Sequence, residues 1–559
     1  MTAEGIETEK KYDVDTAAPL PALRDIPGVG RVGEPHEAHL EAVYFDTEEL
    51  ALAARRITLR RRTGGSDAGW HLKLPQAPES APAPAAASEA GQRREIHAPL
   101  GQPDVVPDQL LAHLHVYLRG SGLAPVARLD TRRTTTALYG HDGVHLADLA
   151  DDHVDAEVLA GAGQGAAQGA DQAAAARKRQ WREWELELVH GSPDLFPAAA
   201  ACLAAAGARP AAHESKLGRA LGEAWPPRPG AAQDDGAATA ERAPTEAAPA
   251  AKKPGKKKPN KKEPGKTWPA SAVVAAYLGG QIDEMLAQDP RVRLEEPDAV
   301  HAMRSAARRM RSALSVYRKL FGGAAVRRLR DELRWLGRIL GTPRDAEVML
   351  DRLRQHAAEL PPEQAADVVK ERVERELGTR FNAGYRKAQE VLLTDRYFRL
   401  LDDLEDFRAH PPVRALASSP GRKVAGKLVN RTVRRLRRAH KAAVGSAEGP
   451  ARDAALHQVR KDAKRVRHAA ESVEPVYGKR AAKLAKAAHK QQTILGNHHD
   501  SVIARDLLGK LGSATDLPEP VASAYSSLLE QEERIAAADE SKYRKARRKA
   551  GKLLKRGVK

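Results

Sequence analysis

The spacing of hydrophobic residues divides the chain into two parts. Up to about residue 190, apolar and polar residues alternate, which is the period of a strand whose two faces differ. The strands predicted from this pattern are 6–12, 57–62, 70–74, 126–139, 144–150 and 181–189. Ser192, Pro193 and Asp194 then supply N-terminal capping chemistry for a helix running to Gly207. The first half therefore predicts an antiparallel sheet or barrel with a few helices.

After Trp268 the apolar residues recur every three or four positions, which is the helical period. Gly and Pro separate the segments that carry this pattern. The predicted helices lie near 271–288, 297–320, 324–340, 343–358, 362–390, 395–407, 421–442, 450–473, 479–495, 498–511 and 518–550. We expect this half to be entirely α-helical, and its length suits two bundles.

Low-complexity sequence separates the two halves. Residues 226–267 are mostly Pro, Ala, Gly and Lys, so we predict a disordered linker between domains at 1–225 and 268–559. Prolines disfavour a helix there, and the lysines repel one another. Two further low-complexity stretches, 75–91 and 160–176, predict surface insertions in the first domain.

The composition excludes several classes of protein. A single cysteine, Cys202, excludes a disulfide framework and a cysteine zinc cluster, and it indicates a reducing compartment. No apolar run approaches the roughly 18 residues of a membrane span, and the N-terminus has acids where a signal peptide has basic residues. We therefore expect a soluble cytoplasmic protein without membrane insertion.

Charge is distributed unevenly between the halves. Residues 1–230 carry 24 Lys and Arg against 32 Asp and Glu, whereas residues 231–559 carry 68 against 42. A strongly basic half attracts polyanions, but charge alone does not distinguish nucleic acid, anionic membrane and polyphosphate. A nucleic-acid binder would also interleave aromatic with basic residues for stacking, and the basic helices have few aromatics. No specific nucleic-acid partner is expected.

Several predicted strands of the first half carry charges on one face, because alternate residues of a strand share a face. The acidic strands contain Glu7 and Glu9 with Lys11, and Glu183 with Glu185 and Glu187. The basic strands contain Arg60 and Arg62, Lys73, and Arg128 with Arg132. A solvated sheet face would carry such charges too. A barrel interior with both sets could instead bind a phosphate chain through its bases while the acids hold Mg²⁺ or Mn²⁺.

In this order the motifs resemble the CYTH domain, over about residues 4–222. They are Glu7-x-Glu9-x-Lys11, Arg60-x-Arg62, Lys73, Glu183-x-Glu185-x-Glu187 and Ser215-Lys216-Leu-Gly-Arg219. The resemblance implies a tunnel of eight antiparallel strands, as in the triphosphate tunnel metalloenzymes, which commonly hydrolyse triphosphates.

The same resemblance implies roles for individual residues. The implied metal ligands are Glu7, Glu9, Asp148, Glu183, Glu185 and Glu187. The implied triphosphate contacts are Lys11, Arg60, Arg62, Lys73, Arg128, Arg132, Lys216 and Arg219. The implied catalytic group consists of Glu7 and Glu9, which hold Mg²⁺ or Mn²⁺, and Lys11, which positions or deprotonates the attacking water. Asp130 shares the face of Arg128 and Arg132, where it would weaken anion binding or serve as a ligand.

The helical half contains an internal repeat. Residues 300–311 match 456–467, and 340–345 match 495–500 at nearly the same offset. In each copy, basic residues spaced by three and four fall on one helix face: His301, Arg304, Arg308 and Arg311, then His457, Arg460, Lys464 and Arg467. Like charges at this spacing repel each other, so the row destabilises the helix by itself. A bound multivalent anion would turn this repulsion into a net attraction. For any single row of basic residues, the alternative to an anion-binding site is a helix face that is simply exposed to solvent.

The duplicated motifs are similar to the CHAD domain over about residues 268–555. This resemblance implies two four-helix bundles related by a pseudo-twofold axis, with halves at about 268–410 and 420–555, and a basic surface that binds inorganic polyphosphate. The implied contacts are His301, Arg304, Arg308, Arg309, Arg311, Arg334, Arg338, Arg344, His457, Arg460, Lys464, Arg465, Arg467, Lys486, Lys490, His498 and His499.

His498 and His499 also admit a metal site. The other copy has Pro343 and Arg344 there and cannot ligate a metal in the same way. Phosphate hydrogen bonding, or helix capping by Asp345 and its counterpart Asp500, is therefore favoured.

Together these features predict a metal-dependent triphosphatase, a phosphoanhydride hydrolase acting on inorganic triphosphate or another short triphosphate. The helical domain would bind inorganic polyphosphate and target the protein to it, at polyphosphate granules where these exist. The alternative is a non-catalytic polyphosphate receptor or granule scaffold. The carboxylates argue against that alternative, because a pure polyanion binder has no use for so many acids without metal.

Overall fold

The computed structural model describes residues 3–75, 91–159, 178–228, 268–514 and 517–558. The chain forms two compact units, Met1–Gly236 and Ala237–Lys559. Most of the predicted linker, and nearly all of the two predicted insertions, lie outside the described residues.

The first unit is a closed antiparallel barrel. Its strands are β1 (Ala3–Val14), β2 (Arg31–Val32), β3 (His36–Asp46), β4 (Thr58–Thr63), β5 (Gly69–Pro75), β6 (Gly91–Ala98), β7 (Ala124–Tyr139), β8 (His145–Val158), β9 (Lys178–Leu188) and β10 (Arg209–Pro210). The barrel order is β1-β6-β5-β4-β3-β7-β8-β9, and pairing of β9 with β1 closes it. The short β2 and β10 pair with β7 and β1. The predicted eight-stranded antiparallel tunnel is confirmed.

In the described part of this unit, four α-helices accompany the barrel: α1 (Ala51–Ala54), α2 (Asp108–Leu118), α3 (Leu195–Ala205) and α4 (Lys216–Leu221). The predicted helix after Asp194 is α3. The strands β3 and β6 and the helix α2 were not predicted. The first residues of β3 are largely exposed, and apolar and polar residues do not alternate regularly there. Strand β6 directly follows a low-complexity stretch.

Packing on the outside of the barrel orients the acidic strand β9. Trp184 and Leu186 are fully buried against α3, where they meet Phe196 and Leu203. Burial of side chains of this size stabilises the fold by about 1.5–3 kcal/mol each. Because strand residues alternate, this packing turns the intervening carboxylates of β9 into the barrel.

The helix α4 is anchored beside the barrel cavity. Ser215 caps it by accepting a hydrogen bond from the Gly218 amide at 3.0 Å. Leu217 and Leu221 pack in a core cluster with Trp181 of β9 and residues of β3, β7 and β8. The cap and this packing hold Lys216, in the first turn of α4, against the tunnel wall.

The second unit is all α-helical in the part that the structure describes. Its helices are α5 (Ala270–Arg293), α6 (Ala299–Val316), α7 (Gly323–Ile339), α8 (Gly341–Ala357), α9 (Ala366–Leu392), α10 (Asp395–Ala409), α11 (Gly421–Val444), α12 (Pro450–Glu471), α13 (Glu474–Tyr477), α14 (Lys479–Gly512) and α15 (Glu519–Arg556). None of the described helices is long and apolar enough to cross a membrane.

One helix prediction is wrong. The segments 479–495 and 498–511 form a single helix, α14, whereas their counterparts in the first copy are separated as α7 and α8. Pro343 follows the break in the first copy, and a proline lacks the amide that a continuous helix needs. The second copy has His498 at that position and continues without interruption. Asp500 therefore lies inside α14 and does not cap a helix.

The two repeat helices, α6 and α12, pack against each other. At their C-terminal ends the Tyr317 hydroxyl lies 2.7 Å from the Ser472 hydroxyl, and both side chains are buried. This packing brings the basic rows of both copies together.

Candidate functional sites

A polar cavity lies inside the barrel. Seven of its eight strands and α4 contribute to the wall, which consists of Glu7, Glu9, Lys11, Tyr44, Thr58, Arg60, Arg62, Asp67, Lys73, Arg93, Glu95, Arg133, Glu185, Glu187, Ser215 and Lys216. Acids on β1 and β9 face bases on β4, β5 and β7 across one enclosed space. The inward acids and bases that the strand periodicity suggested do share a cavity.

A buried ionic cluster adjoins this wall through Glu185, Arg133 and Lys216, while its other members, Asp152 and Glu183, lie outside the lining. Carboxylate oxygens of Asp152, Glu183 and Glu185 lie within 4.8 Å of one another, and all three residues are buried. The Lys216 ammonium lies 2.8, 2.7 and 3.1 Å from them, in that order. Arg133 binds Asp152 through two hydrogen bonds of 2.7 Å and Glu185 through one of 2.8 Å.

Neighbouring cations lower the pKa values of carboxylates in this cluster. Burial alone would raise the pKa of Asp152, but Lys216 and Arg133 outweigh it and hold that pKa well below its usual range. The pKa of Glu183 is lowered against burial mainly by Lys216 and Lys11. Asp152 and Glu183 are therefore ionised and already neutralised in part by protein cations.

Lysines hold the two carboxylates of β1. The Lys73 ammonium lies 2.5 and 2.6 Å from the two Glu7 oxygens, and Lys11 lies 2.8 Å from Glu9. Lys11 also contacts Glu185. Burial lowers the pKa of Lys11 to about 8, with Lys216 and Lys73 adding to the effect against the attraction of Glu9. Lys11 can therefore exchange a proton near neutral pH.

Glu187 forms no direct ion pair with a cation of the described residues, although Lys73 attracts it from a distance. It is paired directly with Glu9 in the β1–β9 register, so these like charges lie opposite each other. Burial, together with Glu7 and Glu9, raises the pKa of Glu187 to about 7. A divalent cation would relieve this repulsion, and carboxylate oxygens are the donors that Mg²⁺ and Mn²⁺ prefer. The cavity wall thus offers the carboxylates of Glu7, Glu9 and Glu187, and the carboxylates whose oxygens lie within 4.8 Å of one another are those of the adjacent Asp152 cluster. Both sets have the oxygen donors that a divalent metal takes.

The opposite wall is built to receive an anion. Arg60 and Arg62 of β4 point inward, and the Nε atoms of both are buried without a hydrogen-bond partner among the described residues. Arg60 donates to the Tyr44 hydroxyl at 3.3 Å, and Arg62 pairs with Asp67. Burial, with Arg60 and Arg133 nearby, lowers the pKa of Arg62 to about 9. Phosphate oxygens would satisfy the free donors and the excess positive charge.

The structure corrects the predicted contacts on β7. Arg128 and Arg132 are exposed and do not line the cavity. Their neighbour Arg133 points inward instead. The prediction was off by one residue, because inward-facing Leu129 is apolar and makes the two faces of this strand hard to distinguish.

Three further predicted residues lie beside the cavity rather than in its wall: Glu183, which belongs to the Asp152 cluster, Asp148 and Arg219. Asp148 is bonded to His145 at 2.8 Å, and the aspartate that lies close to the carboxylates of β9 is Asp152, four residues further along the same face of β8. Arg219 pairs with Asp13 and lies 3.7 Å from Glu183. Prediction had the correct face of β8 but the wrong position along it.

In the helical unit, the basic rows of α6 and α12 converge. We call the convergent residues the cationic cluster: Arg304, Arg308, Arg311, Arg460 and Lys464. Burial lowers the pKa of Lys464 to about 6, and the four arginines add to this effect. Burial, Arg304 and Arg460 likewise lower the pKa of Arg308 to about 10. Five cations from both copies therefore share one electrostatic environment.

The cationic cluster has little compensation from acids. Arg304 pairs with Asp345 at 2.8 Å, at the solvent-exposed edge. The Nε atoms of Arg304, Arg308 and Arg460 are buried without hydrogen-bond partners in the described part of the chain. Packing like charges with unpaired donors is costly without an anion, so the cluster fits a ligand with several negative charges.

Paired glycines make room for the cluster in each copy. A Cβ added to Gly341 would lie 3.2 Å from a guanidinium nitrogen of Arg304, and one added to Gly496 would lie 3.5 Å from the Arg460 Nε. Each arginine thus packs against the backbone at the matching point of the repeat. This correspondence supports the duplication predicted from the motifs.

The remaining predicted polyphosphate contacts divide into three groups. Several lie within ion-pair distance of acids: Arg309 and Arg467 of Glu471, Arg465 of Asp462, Arg334 of Asp331, Arg344 of Glu347, and His498 of Asp453. Others are exposed on their helices, namely His301, Arg338, Lys486 and Lys490. His457 and His499 stack with ring centroids 4.0 Å apart, and burial and His499 lower the pKa of His457 to about 4.

Comparisons with known proteins match both units. The family model of the CYTH domain matches residues 5–203, and that of the CHAD domain matches residues 276–509. An uncharacterised protein of Mycobacterium tuberculosis is 37% identical over 562 residues, covering 99% of this chain and 98% of that protein.

Solved structures of low sequence identity are also similar to half of the chain. PptA from Streptomyces chartreusis is 20% identical with a TM-score of 0.43, covering 50% of this chain and 99% of that one. The CHAD domain from the plant Ricinus communis is 24% identical with a TM-score of 0.40, covering 50% and 92%.

Proposed function

The chain belongs to the family of proteins in which a CYTH domain precedes a CHAD domain, and from this premise we propose that it is a metal-dependent triphosphatase that also binds inorganic polyphosphate. The observation that carries the catalytic proposal is the cavity in which acids of β1 and β9 face arginines whose Nε donors have no hydrogen-bond partner among the described residues. A solvated barrel surface would not enclose both sets of charges.

In the proposed reaction, the basic wall binds the phosphate chain. Arg60 and Arg62 use their free donors on phosphate oxygens, and Arg133 and Lys216 approach from the neighbouring wall. These guanidinium and ammonium groups stabilise the charge that builds up on the leaving phosphate.

The acidic wall prepares the attack of water on the terminal phosphorus. Glu7, Glu9 and Glu187 hold the cation, with the Asp152 cluster adjacent. Bound there, Mg²⁺ or Mn²⁺ supplies Lewis-acid activation of the phosphate. Lys11 lies between Glu9 and Glu185 and, with a pKa of about 8, positions the water and takes up its proton. The products are inorganic phosphate and the shortened chain.

Phosphate release from tripolyphosphate with Mg²⁺ or Mn²⁺ tests this proposal. Glu7→Gln with Glu9→Gln should reduce release by about 10³-fold or more, since both carboxylates of β1 are lost. Glu4→Gln is the matched control, because Glu4 lies on the same strand but is exposed and paired with Arg94. Equal activity in the double variant and the control would overturn the proposal, and no release by the unaltered protein would favour the receptor alternative.

The polyphosphate proposal rests on the cationic cluster. Its buried, unpaired arginine donors and its excess charge call for a ligand with closely spaced anionic groups, and a linear phosphate polymer provides one charge per phosphate. The proposal predicts that loss of Arg308 and Lys464 together weakens binding of long-chain polyphosphate far more than loss of two exposed cations elsewhere on the same unit.

A further inference from the structure

A second basic surface lies between α11 and the end of α15. The groove there is lined by Arg437, His440, Lys441, Val444, Arg547, Arg548, Gly551, Leu554 and Lys555. We call it the C-terminal groove. Neither the tunnel nor the cationic cluster includes any of these residues.

The walls of the C-terminal groove carry positive charge without acids to balance it. Helix α11 has nine Lys and Arg and no Asp or Glu, and α15 after Glu540 also has nine and none. Five of these cations line the groove, and none of the five forms an ion pair with a carboxylate of the described residues. The groove therefore attracts a ligand with several negative charges.

The floor of the C-terminal groove is apolar and uncharged. Val444 is 56% exposed, whereas Leu554, which also lines the groove, is only 3% exposed. Nothing would lie within 4 Å of a Cβ at Gly551, so the floor is open. His440 is buried and bonded to Gln491 at 2.8 Å, and burial lowers the pKa of His440 to about 4, which keeps it neutral.

The duplication does not explain this groove. In the first copy, the helix that precedes the repeat helix is α5, with three acids and two cations. The counterpart of α15 is α9, with six cations and five acids. A surface inherited from the repeated anion site would occur in both halves, as the cationic cluster does. The C-terminal groove is confined to the second half and is a separate feature.

We propose that the C-terminal groove binds an acidic amphipathic segment of a partner protein. Carboxylates of the segment would pair with Arg437 and Lys441 on one wall and Arg548 on the other, while its apolar side chains cover the exposed Val444. An inorganic polymer would satisfy the cations but leave Val444 in water. A single-stranded nucleic acid would need aromatic platforms, and Tyr543 nearby is buried. The proposal does not depend on the activity of the tunnel.

Peptide binding to the full-length chain tests this inference. The probe is a fluorescent peptide of about 18 residues, or five helical turns, with Leu on one face and Glu on the other. A peptide of identical composition with the Leu and Glu positions shuffled is the comparison. We expect the amphipathic peptide to bind about tenfold more tightly than the shuffled one. Equal binding of the two peptides would overturn the inference.

Variants locate the binding. Lys441→Glu with Arg548→Glu should weaken peptide binding by about tenfold or more, and Val444→Asp should weaken it by a similar factor. Arg375→Glu with Lys387→Glu, two exposed cations of α9, is the matched control and should change it less than about twofold. Arg437→Ala with Arg547→Ala repeats the test by removing two positive charges of the groove without introducing negative ones. If the groove variants weaken long-chain polyphosphate binding as much as peptide binding, the groove belongs to a polyphosphate surface and the proposal fails.

Discussion

At the scale of single residues, burial and neighbouring charges make chemically identical side chains behave differently. Glu9 and Glu187 lie opposite each other, yet the pKa of Glu9 is lowered because Lys11 and Lys73 outweigh burial, while the pKa of Glu187 is raised to about 7 by burial, Glu7 and Glu9. Lys11 and Lys464 are both buried lysines with lowered pKa values, one among acids and the other among arginines. These contrasts lead to two predictions of pH dependence.

The first concerns metal binding. Below pH 7 Glu187 holds a proton, so a divalent cation that binds there must displace it. Mn²⁺ affinity should therefore rise by up to about tenfold per pH unit between pH 5.5 and 7 and level off above. Glu187→Gln should flatten this dependence, and calorimetric titration of Mn²⁺ at several pH values measures it. An unchanged slope in Glu187→Gln would show that another group releases the proton.

The second concerns polyphosphate binding. Because the pKa of Lys464 is about 6, the free protein holds this lysine mostly neutral at pH 8, whereas a bound polyanion favours the ammonium form. Binding should take up a proton and tighten as the pH falls from 8 to 6. Lys464→Arg should bind more tightly at pH 8 and lose most of this dependence, while Lys387→Arg should behave like the unaltered chain. Parallel pH curves for the two variants would contradict the account.

At the scale of elements, a one-residue difference decides which side chains reach the tunnel. The strands β1 and β9 could be predicted with the correct faces because Trp184 and Leu186 are apolar and pack outside. Strand β7 could not, because apolar Leu129 points into the barrel, so alternation alone did not separate Arg132 from Arg133. Likewise the helical period was recognisable in both copies, but only Pro343 distinguishes the broken helices of one copy from the continuous α14 of the other.

The neighbouring arginines of β7 provide an internal test of the register. Arg133→Met should lower kcat/KM for tripolyphosphate by about 10²-fold, because it removes a tunnel cation that binds Asp152 and Glu185. Arg132→Met should leave kcat/KM within about twofold, because the Arg132 side chain is exposed on the outer face. Steady-state kinetics of both variants measure this, with thermal unfolding to confirm that each is folded. A larger loss in Arg132→Met would reverse the assignment.

At the scale of the whole molecule, two compact units each contain a site of their own. Composition and charge indicated this division, and the ordered motifs indicated the families. The actual partners in each site depend on tertiary packing that no local pattern shows. Asp152, Arg133 and the unpaired arginine donors emerged only when strands and helices distant in sequence were brought together. The central claim is that hydrolysis belongs to the first unit and polyphosphate binding to the second.

The most direct test measures both activities on the same three proteins. The unaltered chain, Glu7→Gln with Glu9→Gln, and Arg308→Ala with Lys464→Ala are compared for metal-dependent phosphate release from tripolyphosphate and for long-chain polyphosphate binding. Arg375→Ala with Lys387→Ala controls for the loss of two positive charges. The account predicts that the tunnel variant loses release but keeps binding, while the cluster variant loses about tenfold or more in binding affinity but keeps release. The account would be contradicted if either variant lost both activities. It would also be contradicted if both variants kept both activities.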